Sequence, residues 1–351
     1  MNATTVAVDL AKTVFELAIA DEQGRLVDRK RLSREGFARF FANRPPCRIV
    51  MEAACATAHH WARTFQAQGH EVKLLPPQHV RPYVRRNKTD RADAAALLEA
   101  DRCGDLLPVP VKTVEQQGLQ GLHRVRSAWM ATRTDRIDTT RGLLREFGLD
   151  LPPGPAAVLT RAPTWLADPE SLIPLPLRSA LTELIAEIRT LDTRIAAIEQ
   201  QLREQAKPRP EVQRLMAVPG IGLLIATALI AAVGSMTAFR DGRHLAAWLG
   251  LTPRESSSGQ RRCLGGISKR GDRYLRMLFI HGARSALLAA MTQDRTGKKP
   301  LTRLRRWAVD LAARVGHNKA ACALANKLAR IAFAVVRQGR TFNGDFVSVA
   351  A

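Results

Sequence analysis

The sequence has few cysteines, and their spacing excludes two kinds of small structural framework. They never form a Cys-x-x-Cys pair. The five residues are Cys47, Cys55, Cys103, Cys263 and Cys322. Neither a zinc knuckle nor a set of disulfides is therefore expected, and a reduced cytoplasmic environment fits this usage.

Long apolar runs and targeting signals are also missing. No apolar run reaches the roughly 18 residues of a membrane-spanning helix, so we expect no membrane partner. Residues 1–20 lack the basic start, apolar core and cleavage site of a secretory signal, and we assign them to the fold. The absence of a Gly-x-x-x-x-Gly-Lys-[Ser/Thr] loop argues against a reaction that consumes ATP.

Acidic residues are scarce relative to basic ones. The chain has 32 Asp and Glu against 54 Lys and Arg, a net charge of +22. Residues 251–351 alone hold 20 basic against 5 acidic residues. Such a concentration is typical of proteins that neutralise phosphates, which makes nucleic acid the leading partner. A solvated basic surface or contact with an anionic membrane is the alternative.

Four of the scarce carboxylates end or begin predicted elements. Asp9 follows Val-Ala-Val, Glu52 follows Ile-Val-Met, and Asp90 and Asp93 begin a predicted helix. Clustered carboxylates repel one another unless a cation or a proton relieves the repulsion, and hard oxygen ligands favour Mg²⁺. The set therefore predicts a nuclease-type centre. The alternative is structural: Asp90 as a helix N-cap and the others in ion pairs, although an acid that closes a buried strand has little structural purpose.

The first 102 residues predict a defined order of elements. Three antiparallel strands are expected at 4–11, at 13–20 and from 24 onward, then a helix capped by Ser33. A buried strand (47–51), a helix (56–69), a strand (71–75), a basic loop with Arg81, Arg85, Arg86 and Lys88, and a helix (90–102) follow. This is the order of the ribonuclease H-like fold, and we assign residues 1–110 to such a domain.

Residues 111–207 predict a helical coiled-coil segment. Helices are expected at 113–147 and 178–205, on either side of an irregular proline-rich connector from 151 to 176. The second helix carries an apolar seam with steps of three and four: Leu181, Leu184, Ile188, Leu191, Ile195, Ile198 and Leu202. The partner of this seam is either the helix at 113–147 or a second subunit.

Residues 208–351 predict a mostly helical third domain, so the overall class is α/β plus α. Val218-Pro219-Gly220-Ile221-Gly222 lies between two predicted helices, as in a helix-hairpin-helix motif. The amides near Gly220 and Gly222 would then bind phosphate at a helix N-terminus. The alternative is a tight helical corner without a ligand.

Together these segments resemble a known family. The order of the motifs is the one found in transposases of the insertion sequence 110 family. It consists of the acidic quartet, with Lys-Thr-Asp-Arg-Ala-Asp-Ala around Asp90 and Asp93, then the Val-Pro-Gly-Ile-Gly turn, Gly-Leu-Thr-Pro-Arg, Ser-Gly and Ile-Ser-Lys-Arg-Gly-Asp-Arg-Tyr-Leu-Arg. The resemblance covers nearly the whole chain. It implies a DEDD domain related to Holliday-junction resolvases (RuvC-like), followed by a transposase domain.

The resemblance also implies an activity and partners. Such proteins are site-specific recombinases that act on donor and target double-stranded DNA. They are guided by a noncoding bridge RNA and work as dimers that join into a tetrameric synapse. A bacterial cytoplasmic location, at the nucleoid when DNA is bound, would follow.

By position, the resemblance implies that Asp9, Glu52, Asp90 and Asp93 hold Mg²⁺ or Mn²⁺. It implies that the serine before Gly259 forms a phosphoserine intermediate. Three serines are adjacent here; we choose Ser258 and place Ser257 second. The basic residues around this loop are the expected phosphate ligands: Arg254, Arg261, Arg262, Lys269, Arg270, Arg273 and Arg276.

Nearly 170 residues separate Asp93 from Ser258, so the active centre must draw on two domains, within one subunit or between two. Two other functions use the same residues differently. A hydrolytic nuclease similar to a junction resolvase would activate water and leave free ends. A non-enzymatic nucleic-acid scaffold would not cleave at all.

Overall fold

A computed structural model of the protein describes residues 5–54, 56–84, 89–103 and 106–345. Cys55 and three residues of the predicted basic loop (Arg85, Arg86 and Lys88) lie outside these ranges. The chain forms two compact units, Met1–Val114 and Glu115–Ala351. The division into three domains at 110 and 207 stays a prediction.

The first unit contains a mixed five-stranded sheet. Its strands are β1 (Thr5–Leu10), β2 (Val14–Ala20), β3 (Leu26–Ser33), β4 (Arg48–Glu52) and β5 (Glu71–Leu75). Their order is β3-β2-β1-β4-β5; β2 is antiparallel to its neighbours, and β4 and β5 run parallel to β1. The sequence-based prediction of this mixed sheet is confirmed.

Helices cover both faces of this sheet. They are α1 (Arg34–Ala42), α2 (Ala58–Ala67), α3 (Pro77–Val80) and α4 (Asp90–Arg102). On one face, Phe37 of α1 stacks on Phe15 of β2 with ring centroids 4.4 Å apart, and Trp61 and Phe65 of α2 surround it. On the other face, small buried side chains such as Ala7 let α4 pack closely on β1 and β2.

The second unit begins with two long antiparallel helices, α5 (Val114–Glu146) and α8 (Leu175–Ala206). Three ion pairs join them in antiparallel order: Arg126–Glu199 at 2.7 Å, Arg133–Asp192, and Arg136–Glu187 at 2.7 Å. The predicted seam of α8 is buried, except that Ile185 takes the buried position expected of Leu184. The partner of the seam is therefore α5 of the same chain.

The connector between α5 and α8 is more regular than predicted. It contains two short helices, α6 (Pro155–Thr160) and α7 (Ala162–Ala167). The prediction of an irregular segment from 151 to 176 was wrong because each helix has its proline in the first turn. Proline is tolerated there, since the amide it lacks has no helical partner.

The rest of the second unit packs mainly around its last helix. Its elements are α9 (Pro210–Met216), α10 (Leu223–Val233), α11 (Gly242–Trp248), β6 (Pro253–Glu255), β7 (Leu264–Ile267), α12 (Arg273–Thr296), α13 (Arg303–Val315) and α14 (His317–Gln338). The predicted helices are present. The β6–β7 hairpin was not predicted because its strands are short and exposed. None of the described helices has the length and apolar character needed to cross a bilayer.

Candidate active site

Asp9 and Glu52 lie at the carboxyl ends of neighbouring parallel strands. Val8 of β1 and Met51 of β4 are partners in register, and Asp9 and Glu52 directly follow them. Successive side chains of a strand point to opposite faces. Ala7 lies two positions before Asp9 and belongs to the core beneath α4. Asp9 and Glu52 therefore share the sheet face that α4 covers.

The start of α4 brings in the other two carboxylates. The Thr89 hydroxyl caps this helix by accepting a hydrogen bond from the amide of Ala92 at 3.2 Å. Asp90 is the first helical residue, so the alternative reading of Asp90 as the N-cap was wrong. Asp90 and Asp93 are three residues apart and lie on one face of the helix. At the other end of α4, Asp101 accepts a hydrogen bond from Lys73 Nζ of β5 at 3.0 Å.

Three carboxylates converge at this point. Oxygen atoms of Asp9, Asp90 and Asp93 all lie within 4.8 Å of one another. Asp90 is exposed and the other two are half-buried, so the cluster is open to solvent. Among the described residues, Glu52 is not a member of this group, although it ends the adjacent strand. Three hard oxygen donors at this spacing suit Mg²⁺ or Mn²⁺, and a divalent cation would relieve their mutual repulsion.

Sequence reasoning missed Glu16 on the same face. Glu16 of β2 is the cross-strand partner of Asp9. Its carboxylate lies 3.4 Å from Arg31 Nε of β3. Antiparallel register places these side chains together, and the short connection between the first two predicted strands is the signal that indicates it.

A basic pocket of about 340 Å³ adjoins Glu16. Arg29, Lys30, Arg31 and Arg91 line it together with Glu16. Arg29 Nη1 donates a hydrogen bond to the carbonyl of Arg91, in the first turn of α4, at 3.0 Å. The site region thus combines clustered carboxylates with four cationic side chains, a pairing suited to a phosphodiester.

In the second unit, Ser258 ends one arm of the β6–β7 hairpin. Its amide donates to the carbonyl of Arg261 at 3.2 Å, and the Arg261 amide donates back at 3.1 Å. Gly259 and Gln260 form the two-residue turn, and Gly259 has a φ of +56°, which glycine adopts without strain. The expected serine loop is therefore the tip of a hairpin.

The two candidate serines differ in their hydrogen bonds. The Ser257 hydroxyl donates to Glu255 Oε1 at 2.8 Å and accepts from the Cys263 amide at 3.2 Å. The Ser257 hydrogen bond, followed by the charge of Arg262, holds the pKa of Glu255 below its usual value. Ser258 is exposed, and its hydroxyl has no hydrogen-bonding partner in the described part of the chain. Ser257 is tethered, whereas the Ser258 hydroxyl is free to approach a ligand.

The predicted phosphate ligands around the hairpin fall into two groups. The exposed members are Arg254, Arg261, Arg262, Lys269, Arg270 and Arg273. Arg276 is half-buried instead, and its Nη1 donates to the carbonyls of Leu249 at 3.1 Å and Arg270 at 3.4 Å. Arg276 thus fastens the base of the hairpin to the end of α11.

The two glycines of the α9–α10 turn also differ. Gly220 has a φ of +90°, and a Cβ on it would lie 2.8 Å from the carbonyl oxygen of Gly282 in α12. Close helix packing therefore explains Gly220. Gly222 is exposed and directly precedes α10. Its amide is the better placed of the two for a phosphate.

A buried histidine that sequence reasoning missed joins α5, α10 and α12. His123 Nε2 lies 3.0 Å from the Thr227 hydroxyl, and Nδ1 lies 3.0 Å from the Tyr274 hydroxyl. Thr227 donates its proton to the Leu223 carbonyl, so Nε2–H donates to Thr227 and Nδ1 accepts from Tyr274. Burial, reinforced by the charge of Arg126, lowers the pKa of His123 to about 4. The ring is neutral and fixes the start of α12, which follows the hairpin.

Comparison with known proteins assigns the chain to a family. A model for DEDD-type transposases of the IS110 group matches residues 6–148, and a model described as "Transposase IS116/IS110/IS902 family" matches residues 212–298. The first match contains the carboxylate cluster, and the second contains the hairpin.

Full-length relatives agree with these matches. A probable family 20 transposase of Pseudomonas aeruginosa is 43% identical over 96% of this chain and 97% of its own length. The transposase of insertion sequence element IS1111A from Coxiella burnetii is 39% identical over 96% and 90%, and that of IS1328 from Yersinia enterocolitica is 38% identical over 97% and 99%. Because such relatives cover nearly its whole length, this chain belongs to the IS110 family of insertion-sequence transposases.

Proposed function

We propose that this transposase is a metal-dependent recombinase that cleaves and rejoins donor and target DNA through a phosphoserine at Ser258. Its first unit would be a ribonuclease H-like, RuvC-like nuclease domain. The main support is the convergence of carboxylate oxygens of Asp9, Asp90 and Asp93, which lie within 4.8 Å of one another beside a mixed sheet. Three carboxylates at this spacing make sense as a cation site, and phosphoryl transfer is the chemistry that such a site supports.

The proposed roles follow from the chemistry of the side chains. The Ser258 hydroxyl loses its proton as Oγ forms a bond to phosphorus. The bond from phosphorus to the leaving sugar oxygen breaks, and that oxygen takes up a proton to become a hydroxyl. One phosphodiester replaces another, so its bond energy is kept for rejoining. The exposed arginines of the hairpin, such as Arg254 and Arg261, would hold the phosphate.

Asp9, Asp90 and Asp93 would hold Mg²⁺ or Mn²⁺, with Glu52 on the adjacent strand. The metal would supply Lewis-acid stabilisation of the charge on the phosphate oxygens. In this proposal the carboxylates and Ser258 act on the same phosphate. The two sets of residues would belong to one subunit or to two.

Guidance by a bridge RNA and assembly into dimers and tetramers belong to the same proposal and rest on the family resemblance. The charge distribution supports a polyanionic partner, because residues 251–351 carry 20 basic and 5 acidic residues. A cytoplasmic protein of a bacterial cell, associated with the nucleoid while it holds DNA, would follow.

The test compares the covalent products that four proteins, the wild type and three variants, form on a labelled DNA substrate in the presence of the copurified RNA. With Mg²⁺, the wild type should yield a protein–DNA adduct on a denaturing gel. Ser258→Ala and Asp9→Asn should each yield none, a loss of at least about 1,000-fold. Ser256→Ala is the matched control, because Ser256 lies on the same hairpin and should keep the adduct.

Three results would contradict the proposal. Adducts formed by Ser258→Ala would move the nucleophile to Ser257. Free DNA ends without an adduct, abolished by Asp9→Asn but not by Ser258→Ala, would establish a hydrolytic nuclease. Full activity in EDTA would remove the metal from the scheme.

A further inference from the structure

A second cavity lies among the last helices of the chain, outside the matched residues 212–298. It is formed by α13, α14 and the segment that follows α14, and its volume is about 610 Å³. Pockets for small ligands usually have volumes of about 300–1,000 Å³. The cavity is therefore large enough for one nucleotide of a nucleic-acid strand.

The lining of this cavity is cationic. Arg303, Lys327, Arg330 and Arg340 contribute to it, and no aspartate or glutamate does among the described residues. Within the same described ranges, none of the four forms an ion pair with a carboxylate. Four unpaired cations around one cavity repel one another, and an anion would relieve that repulsion.

The surroundings of Lys327 disfavour its charged form. Burial, followed by the charges of Arg330 and Arg303, holds the pKa of Lys327 below its usual value. Asp345 is a nearby carboxylate, but its Oδ1 accepts a hydrogen bond from the backbone amide of Arg303 at 2.8 Å. Asp345 thus pairs with a backbone amide at the start of α13, while the guanidinium group of Arg303 stays available to bind an anion.

Two aromatic rings also line the cavity. Trp307 of α13 and Phe342, after α14, are both half-buried. The ammonium group of Lys327 lies 4.0 Å from the centroid of the Trp307 ring. Phosphate binding alone needs no aromatic wall, whereas unpaired bases stack on aromatic rings beside cations that hold the backbone.

The cavity is preformed by backbone contacts. The Leu304 amide donates to the carbonyl of Gly344 at 3.1 Å, next to the bond between Arg303 and Asp345. These two bonds fasten residues 344 and 345 to the first turn of α13. Phe342 and Arg340 are therefore held against the helices in the absence of a ligand.

We propose that this cavity binds one unpaired nucleotide of a DNA or RNA strand, with its base against Trp307 and Phe342 and its phosphate among Arg303, Lys327, Arg330 and Arg340. This goes beyond the proposed recombination chemistry, because it assigns recognition of an extruded or single-stranded base to α13 and α14. It requires nucleic-acid binding but not cleavage.

The first experiment measures fluorescence anisotropy of labelled single strands with full-length protein that carries Asp9→Asn. Lys327→Gln combined with Arg330→Gln should weaken binding at least about tenfold. It should reduce the slope of log affinity against log salt by about 1.4, at roughly 0.7 per lost phosphate contact. The matched control, Arg314→Gln with Arg337→Gln, removes two exposed charges from the same helices outside the cavity and should change affinity less than about threefold.

The second arm separates the base from the phosphate. Trp307→Leu should weaken binding of a base-containing strand at least about fivefold but leave an abasic strand of equal length nearly unchanged. Parallel DNA and RNA strands identify the source of the nucleotide. Equal losses for cavity and control variants would overturn the proposal, and so would equal losses on base-containing and abasic strands.

A third measurement does not depend on folding of any variant at the cavity. Strands carrying 5-iodouracil, as DNA or as RNA, should crosslink under light to peptides that contain Trp307 or Phe342. Crosslinks confined to other peptides would overturn the proposal. The two proposals can fail separately: a wild type that never forms adducts but crosslinks here contradicts only the recombinase mechanism, and the reverse result contradicts only this site.

Discussion

Asp9 and Ser258 are supported in opposite ways. Asp9 lies between buried Val8 and Leu10 on a central strand of the sheet, and α4 covers the same face. Ser258 lies at the tip of a hairpin in which every residue from 253 to 266 is exposed. The carboxylates are therefore held by a core, whereas the serine is held by a few backbone hydrogen bonds.

The contrast suggests different roles for the two units: the first provides fixed cation ligands, and the second provides an adjustable hairpin. A cation site needs fixed donors, because ligand geometry decides which ion it binds. An exposed hairpin opens at little free-energy cost and can adjust to the phosphate that it meets. We expect changes to the apolar core to affect the carboxylates strongly, and changes to the hairpin to affect reactivity with little change in stability.

The largest effect is expected from the aromatic core, which lies on the face of the sheet opposite to the carboxylates. Phe37→Ala removes a fully buried ring that contacts Phe15, Trp61 and Phe65, and it should lower the free energy of unfolding of the first unit by about 3–5 kcal/mol. Hydrogen exchange of the β1 and β4 amides would measure the loss. Phe40→Ala, at a half-buried position of the same helix, is the matched control. Equal losses of unfolding free energy in the two variants would contradict the conclusion that this buried core supports the carboxylates.

Acid should weaken both units through buried histidines. Burial, then the charges of Lys112 and Arg63, lowers the pKa of His59 to about 4, the same value as for His123. In the unfolded chain each of these two histidines takes up a proton near pH 6.5. In the folded protein each stays neutral until about pH 4. Stability is therefore full above about pH 6.5 and falls below it, by about 2 kcal/mol per site between pH 7 and pH 5.

Urea unfolding across this pH range would test the point. His123→Gln should flatten the pH dependence of the second unit, whereas exposed His281→Gln should not. An unchanged pH dependence in His123→Gln would show that another group titrates. Comparing His59→Gln with His123→Gln separates the contributions of the two units.

A smaller effect is expected from the tethered serine. Ser257→Ala removes the hydrogen bonds to Glu255 and the Cys263 amide, each worth about 1 kcal/mol. We expect adduct formation to slow by less than about tenfold, because Ser258 remains. Quantifying adducts over time would measure this. A loss as large as that of Ser258→Ala would instead make Ser257 the nucleophile.

The smallest effect is expected at the hairpin turn. Gly259→Ala places a side chain on a residue with φ of +56°, at a cost of about 1 kcal/mol. Because the hairpin is exposed, the global midpoint of thermal unfolding should not move, while exchange at the Ser258 and Arg261 amides should accelerate. A lowered midpoint would mean that the hairpin supports the second unit as strongly as the core does.

Sequence patterns predicted the parts of the fold that depend on local periodicity. The helix expected at 90–102 is observed with those ends, and the strand expected at 71–75 likewise, because caps and apolar runs mark them. The partner of the α8 seam required long-range information: its apolar spacing fits any complementary helix, and only the ion pairs with α5 decide it.

The candidate site was predictable to a similar degree. Four acids at element ends predicted a cluster, and three of them converge. Glu16 was missed because its position opposite Asp9 depends on the register between β1 and β2. The apolar pattern of one strand alone does not reveal that register. His123 was missed because nothing on α5 marks a histidine that contacts Thr227 and Tyr274, more than 100 residues away.

Thr89 determines the direction in which Asp90 and Asp93 point from the axis of α4. Each residue of an α-helix turns the side chain by about 100°, so a start delayed by one residue would carry Asp93 a quarter-turn away from Asp9. The Thr89 hydroxyl at the start and the Lys73–Asp101 contact at the end fix where α4 begins and how it is rotated. A hydroxyl that never touches a cation would thereby decide whether the chain can hold one.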